Sequence, residues 1–195
     1  MSAAGQVTTG LSKPYVALYG HSGTTVSYTS GQLLARGVSV SADIETSGDN
    51  DFYCDNLLAE SAPAAFTSGS LTVTVDGLFQ AAERLIMGLP AAASNGFVAY
   101  GDQQAIPFVG FGVILRHQSE GVVSYQAVIF PKVQFELIST DGNTQEDSID
   151  WQTQELTAAI RRADDANRNW KYIGTSRATE ALAEADITTF FSITQ

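Results

Sequence analysis

The stretch FVGFGVILRHQSEGVVSYQAVIFPKVQFELI, residues 108–138, decides the fold of this chain. In it, two long runs with apolar side chains at every second position flank a short polar break at 117–121. Period-two spacing with β-branched and aromatic residues is typical of strands, and a polar break that ends in glycine is typical of a hairpin. Apolar side chains occur on both faces of both runs, among them Phe111, Val113, Leu115, Val123, Tyr125 and Ile129. The sequence therefore predicts a β hairpin that must be covered on both faces, by a second layer or by another subunit.

Alternating apolar runs predict further strands on either side of this hairpin. They lie at 14–19, 24–29, 38–44, 67–76, 133–137 and 170–175. In the run 38–44 the apolar side chains alternate with polar ones, so we expect one face of this strand to be buried. The segment 148–162 fits either a strand or a helix, and an extended strand with a bend is favoured.

Two helices are predicted. Residues 77–88 (GLFQAAERLIMG) place their apolar side chains on one stripe at helical spacing, and Gly88 ends the pattern. Residues 176–186 are rich in Ala and Glu, with Ser176 as the expected N-cap. An apolar tail follows this second helix.

The length of 195 residues predicts a single domain. Residues 1–12 are small and polar and are expected to form a flexible N-terminal arm, which leaves 13–195 as one β domain. Residues 46–63 are predicted to be a long acidic loop, because 37–83 holds eight acids and no Lys or Arg. Long loops that carry aromatic residues usually make contacts.

The charge balance argues against tight binding of nucleic acid. The formal net charge is −11, and only three lysines and one pair of adjacent arginines, Arg161 and Arg162, are present, so no basic patch is expected. Cys54 is the only cysteine, which excludes an internal disulfide. The sequence has neither a signal-peptide pattern at its start nor an apolar run of membrane-spanning length, so no membrane anchor is expected.

No group of residues predicts catalysis, a metal site or a cofactor. The two histidines, His21 and His117, fall in predicted turns beside serines, but no nucleophile elbow or oxyanion loop accompanies them. The acids of 43–60 do not have the spacing of a calcium-binding loop, and a solvated acidic loop is the simpler interpretation. Gly110 and Gly112 lie inside a strand, where a bulge or a close approach of another backbone explains them better than a phosphate site.

Four stretches occur in a suggestive order along the chain. They are 37–60, with the block DNDFYCDN at 49–56; LTVTVDGL at 71–78; Phe111-Gly112 with FPKVQF at 130–135; and DSIDWQT at 147–153, closed by the strand at Trp170 and the C-terminal helix. Together they resemble the major tail protein family, the tail tube proteins, of long flexible-tailed bacteriophages. The resemblance covers most of the chain after Lys13.

The resemblance implies a mainly β fold: a two-sheet sandwich or barrel-like tail tube fold with one flanking helix and a short C-terminal helix. Such a subunit is structural and not an enzyme. Copies join into rings, six to a ring, and the rings stack into a hollow tube through which DNA passes during ejection. The implied partners are further copies of the chain, a tape measure protein and a tail terminator, with double-stranded DNA passing without tight binding. The implied location is the virion, after assembly in the host cytoplasm.

Two surfaces are assigned on that basis. The ring-forming surface is the predicted hairpin, through Phe111, Val113, Leu115, Val123, Tyr125 and Ile129. The inter-ring contact is the acidic loop, through Asp49, Asp51, Phe52, Tyr53, Asp55, Leu57 and Leu58. A ring of six copies carries −66, and acids that face its bore would repel DNA phosphates.

Two other classes of function fit the same residues. A carbohydrate-binding β sandwich on a virion or cell surface would use Trp151 or Trp170 as a stacking platform. A metal-dependent hydrolase would use the acidic loop as its ligand set.

Overall fold

A computed structural model describes residues 5–48, 50–140, 142–144 and 151–193 of the chain. These residues form a mainly β fold of ten strands and two helices. The strands are β1 (Val7–Ser22), β2 (Thr25–Leu33), β3 (Gly37–Thr46), β4 (Asn50–Cys54), β5 (Leu57–Ala62), β6 (Phe66–Val75), β7 (Val109–Ser119), β8 (Val122–Phe135), β9 (Gln154–Arg161) and β10 (Tyr172–Ile173). The helices are α1 (Gln80–Met87) and α2 (Glu180–Phe190).

Eight of the described strands form one antiparallel sheet in the order β2-β1-β7-β8-β9-β6-β3, with β10 paired to β8. The remaining two, β4 and β5, pair with each other in a small second sheet. The predicted central hairpin is confirmed as β7 and β8. Its connection is tighter than expected, because only Glu120 and Gly121 separate the strands, both at positive φ (48° and 83°). Two-residue turns of this kind match the twist of the strands they join.

The large sheet curls until β3 returns to β1. At the point of contact, a Cβ atom on Gly37 would lie 3.3 Å from Cδ of Pro14, and the backbone N–H of Leu34 donates a 2.8 Å hydrogen bond to the Pro14 carbonyl oxygen. The inside of the curl holds the larger core, which includes Val16, Leu34, Leu71, Val73, Phe111, Val113, Phe130, Phe135, Leu156 and Ile160. Helix α1 packs into this core through Ala82, Ile86 and Met87. The fold is therefore barrel-like, with α1 as the flanking helix.

Helix α1 confirms the helix predicted at 77–88 but begins three residues later. Gly88 ends it in the left-handed conformation at φ 66°, and its N–H bonds to the Arg84 carbonyl oxygen. A glycine is favoured there because it adopts positive φ at little steric cost.

Helix α2 covers the outer face of β1, β7 and β8. Ala183 and Ile187 of the helix, and Phe191 just after it, are buried against Ile114 and Ile129 of the sheet. The predicted N-cap at Ser176 is wrong, since the helix starts after Thr179 and continues through most of the expected apolar tail. One short helix of the same chain thus provides the second layer that the two-faced β7–β8 hairpin requires.

The N-terminal prediction also needs correction. Residues 7–12 belong to β1 and not to a flexible arm, because they pair with β7 from Val7 opposite Gln118 to Ser12 opposite Ile114. The strand predicted at 14–19 is only the second half of this long element. In the segment 148–162 the described part confirms the strand, as β9.

The described part of the chain has no helix that is both long and apolar enough to cross a membrane.

Candidate functional site

Residues 46–63 are a hairpin rather than a loop. Strand β3 ends at Thr46, β4 and β5 follow as an antiparallel pair, and β6 starts at Phe66, directly opposite Thr46. The hairpin is therefore inserted between two strands that are neighbours in the large sheet. We call residues 47–65 the β4–β5 extension.

The turn of the extension is specified locally by two residues. Asp55 and Asn56 both adopt positive φ, 51° and 64°, between Cys54 and its partner Leu57. Asp and Asn tolerate this conformation better than other non-glycine residues, so the pair supports a two-residue hairpin turn. The acidic composition of 46–63 had pointed to a loop, but this dipeptide contained the hairpin signal.

The extension is exposed at every residue from 51 to 65. Phe52, Tyr53, Leu57 and Leu58 leave 63%, 61%, 72% and 55% of their surface accessible. The acids Asp51 and Asp55 are exposed among them, whereas Asp49 lies outside the described residues. The residues assigned to an inter-ring contact are thus brought together on one projecting element. Large apolar groups gathered on an exposed element mark an interaction surface.

The residues assigned to a ring-forming hairpin lie elsewhere. Phe111, Val113 and Ile129 are 0%, 2% and 5% exposed, and Leu115, Val123 and Tyr125 are half-buried. The assignment to a ring contact is wrong for the first three, because the barrel interior and α2 already cover them. The argument that another subunit must cover them therefore fails for this hairpin.

Strand β3 is a second exposed element. Among the described strands it pairs only with β6, so one of its edges is free beyond the contact at Gly37. The prediction of a strand at 38–44 is confirmed, but the prediction of a buried face is wrong. Only Val40 is half-buried there, while Val38 and Ile44 are 53% and 37% exposed. A free edge with apolar side chains is a template for pairing with another chain.

Sequence reasoning missed a group of basic side chains. Lys132, Arg161, Arg162 and Arg168 line one open surface cavity of about 500 Å³. The three arginines lie within residues 161–168, and the pairing of β8 with β9 adds the distant Lys132 by placing it opposite Arg161. The expectation that no basic patch exists is therefore wrong. We call this site the arginine cavity.

The residues that line the arginine cavity have a positive net charge. Asp164 is the one carboxylate among its described lining residues, so the lining has a formal net charge of +3. Asp164 Oδ2 lies 2.6 Å from Lys132 Nζ, and this hydrogen bond, with a second one from the Tyr19 hydroxyl, lowers the pKa of Asp164. Arg161 and Arg168 are exposed and form no ion pair with any described carboxylate. Two cations at the rim are thus available to an acidic partner.

Aromatic rings form the apolar wall of the same cavity. Phe66 stacks on Trp170 with ring centroids 4.8 Å apart and an angle of 4° between planes, and the Arg162 guanidinium lies 5.7 Å from the Phe66 centroid. Phe108 is 36% exposed, and Lys132 Nζ lies 4.6 Å from the centroid of its ring. The cavity therefore combines positive charge with rings on which a partner's apolar side chains can pack.

The two histidines considered as candidate catalytic residues lie in different surroundings. His117 is buried in β7 with Nδ1 3.2 Å from Thr8 Oγ1, so its prediction as a surface turn residue is wrong. His21 lies in β1, paired with Val26 of β2, and not in the predicted turn, and its Nε2 lies 3.8 Å from Asp164 Oδ2. No three His, Cys, Asp or Glu residues of the described ranges are close enough to hold a metal ion.

The two tryptophans proposed as sugar-stacking platforms differ in their exposure. One face of Trp170 is covered by Phe66, whereas Trp151 is 84% exposed. A single exposed ring supplies no defined sugar site.

Comparison with known proteins does not assign the chain to a family. No protein-family model matches the chain, and no curated protein matches its sequence. The functional argument therefore depends on the exposed β4–β5 extension, the free edge of β3 and the arginine cavity.

Proposed function

We propose that this chain is the structural subunit of a hollow tube, in which six copies join into a ring and the rings stack to form the tail of a long flexible-tailed bacteriophage. The observation that carries the proposal is the β4–β5 extension, which is exposed throughout residues 51–65. A two-stranded hairpin standing alone is marginally stable at best in water. A second copy that buries its apolar side chains would stabilise it.

The free edge of β3 supports the same proposal. An exposed strand edge invites pairing with another chain, and natural proteins usually block such edges with charge, proline or a covering element. Closed assemblies of identical copies are the commonest arrangement in which a protein uses such a surface without forming open aggregates. A ring satisfies the edge of every copy at once.

The charge of the chain fits the passage of DNA. A ring of six copies has a formal charge of −66, and acids facing its bore would keep phosphates from adhering during ejection. In this proposal the subunit has no catalytic role, and a tape measure protein and a tail terminator are its further partners in the virion.

The test is to remove the β4–β5 extension, which the pairing of β3 with β6 makes possible. Because Thr46 lies opposite Phe66 and the Ser47 N–H bonds to the Ala65 carbonyl oxygen at 2.8 Å, residues 48–64 can be replaced by Asn-Gly. The replacement joins β3 and β6 through a two-residue turn and leaves the large sheet intact. The variant should remain folded by circular dichroism and monomeric by size-exclusion chromatography with light scattering.

Negative-stain microscopy of both proteins at high concentration gives the readout. We expect rings or tubes with a central hole from the full chain and none from the excised variant. A full chain that stays monomeric at every concentration overturns the proposed function. Tubes from the excised variant would show that the extension is not the assembling element.

A further inference from the structure

The β4–β5 extension and the arginine cavity are chemically complementary. The extension carries Asp51, Asp55 and Glu60 beside exposed aromatic and leucine side chains, within a stretch from 37 to 83 that has no Lys or Arg. The cavity carries a net +3 beside the rings of Phe66 and Phe108. The two sites thus carry opposite charges, and each also has apolar side chains on which those of the other can pack.

The two sites are also at the same end of the molecule. The extension leaves the sheet where β3 ends and β6 begins, and Phe66, the first residue of β6, lines the cavity. Rotation about a ring axis keeps the same end of every copy at the same level. In a ring whose axis runs along the strands, an extension that leans sideways meets the cavity of the next copy around the ring, whereas the ring above presents its opposite end.

That opposite end does not offer a complementary charge. It is formed where β6 ends and β9 begins, and its surface cavity of about 570 Å³ is lined by Asp76, Glu136 and Glu155. Exposed Arg36 is paired with Asp76 there, so these three acids and one arginine have a formal net charge of −2. An acidic extension would be repelled there. Charge thus favours a neighbour in the same ring over a neighbour in the next ring.

We infer that the β4–β5 extension of one copy docks in the arginine cavity of the adjacent copy in the same ring, with its acids paired to Arg161 and Arg168. This inference rests on the proposed function, because it assumes a ring, and it identifies the ring-forming contact within it. The contact is head-to-tail: each copy gives its extension to one neighbour and receives an extension from the other. Rings close by such heterologous contacts.

The test reverses the charge on each side of the contact. The extension variant carries Asp51→Lys with Glu60→Lys, which spares the turn at Asp55. The cavity variant carries Arg161→Glu with Arg168→Glu. Each should fold as the wild-type chain does but need a protein concentration higher by about tenfold or more for ring formation, since close like charges across an interface are repulsive.

A matched control accounts for the change in net charge. Asp102→Lys with Glu120→Lys makes the same change at two exposed positions outside both sites. This control should form rings at the wild-type concentration. If it is impaired as strongly as the extension variant, net charge and not the contact governs assembly, and the inference fails.

The decisive experiment mixes the two reversed variants. In an alternating ring, every reversed extension meets a reversed cavity and every native extension meets a native cavity, so an equimolar mixture should form rings again. Rescue seen only when all four substitutions share one chain would mean that the extension folds onto its own cavity, which overturns the inference. Impairment of both variants without rescue in either form would exclude charge pairing between the sites.

Two further outcomes separate this inference from the proposed function. If the wild-type chain forms rings and both reversed variants form them equally well, the docking inference alone fails. If the wild-type chain forms no rings, the proposed function fails first. Where the cavity variant is shown by circular dichroism to be unfolded, Arg161→Gln with Arg168→Gln serves in its place, with a smaller shift in the same direction; for the extension variant, Asp51→Asn with Glu60→Gln does so.

Discussion

Phe191 lies directly over Gly110, so that β7 has no room for a side chain at that position. A Cβ atom on Gly110 would lie 2.7 Å from Cε1 of Tyr28 and closer still to the Phe191 ring. We expect Gly110→Ala to lower the free energy of unfolding by about 1–3 kcal/mol, because overpacking forces the buried ring of Phe191 to move. Urea denaturation measures the change.

Gly101→Ala is the control for this substitution. A Cβ atom at Gly101 meets no described atom within 4 Å, so its stability should change by less than about 0.5 kcal/mol. Equal stability of the two alanine variants would contradict the close packing of α2 on β7.

The cover that α2 provides predicts a large difference between two of its own residues. Ile187 is 0% exposed against the sheet, whereas Leu182 is 50% exposed. Ile187→Ala should lower the free energy of unfolding by about 2–5 kcal/mol through loss of burial and a residual cavity. Leu182→Ala should change it by about 0.5 kcal/mol or less. Similar losses for both would mean that α2 does not cover β7 and β8 in the way described.

The sequence predicted most strands because burial on at least one face enforces period-two spacing, as in β6, where Leu71, Val73 and Val75 are buried. It did not predict what covers the second face of the β7–β8 hairpin. That cover comes from Ile187 and Phe191, far along the chain. Periodicity indicates that a residue is buried, but it does not indicate which residues cover it.

The candidate site was predicted only in part. The apolar and acidic residues of the β4–β5 extension were identified from composition, although its hairpin form was not. The arginine cavity was missed, because the three arginines of 161–168 share that stretch with Asp164 and Asp165, and Lys132 joins them only through the pairing of β8 with β9. A local scan for clustered charge cannot find residues that tertiary pairing brings together.

Glu184 on α2 predicts a dependence of stability on pH. Its carboxylate accepts hydrogen bonds from Lys13 Nζ at 2.5 Å and from the Tyr15 hydroxyl at 2.7 Å. Burial raises the pKa of Glu184, but these hydrogen bonds and the Lys13 charge lower it by more, so that its pKa lies below the ordinary 4.5. A carboxyl group whose pKa falls on folding stabilises the fold while it is ionised.

We therefore expect Glu184→Gln to lower the free energy of unfolding at pH 7 by about 1 kcal/mol, a small value because solvent screens the pair at Lys13. The difference from wild type should be full above pH 4.5 and shrink as the pH falls through the lower pKa of the folded state. Urea denaturation at a series of pH values from 7 to 3 measures it, with Glu136→Gln as an exposed control. A difference that stays constant down to pH 3 would contradict the lowered pKa.

The free edge of β3 gives a prediction that separates folding from assembly. Val38 and Ile44 are exposed apolar residues on this strand, so lysine at both positions should leave the free energy of unfolding of the monomer within about 0.5 kcal/mol of wild type. The same substitutions should prevent ring formation, because lysine on an edge strand opposes pairing with another chain. Leu182→Lys introduces a charge at an exposed apolar position on α2, away from β3, and should assemble as wild type does. Size-exclusion chromatography with light scattering gives the oligomeric state of each protein, and rings formed by the β3 variant at the wild-type concentration would exclude this edge from the assembling surface.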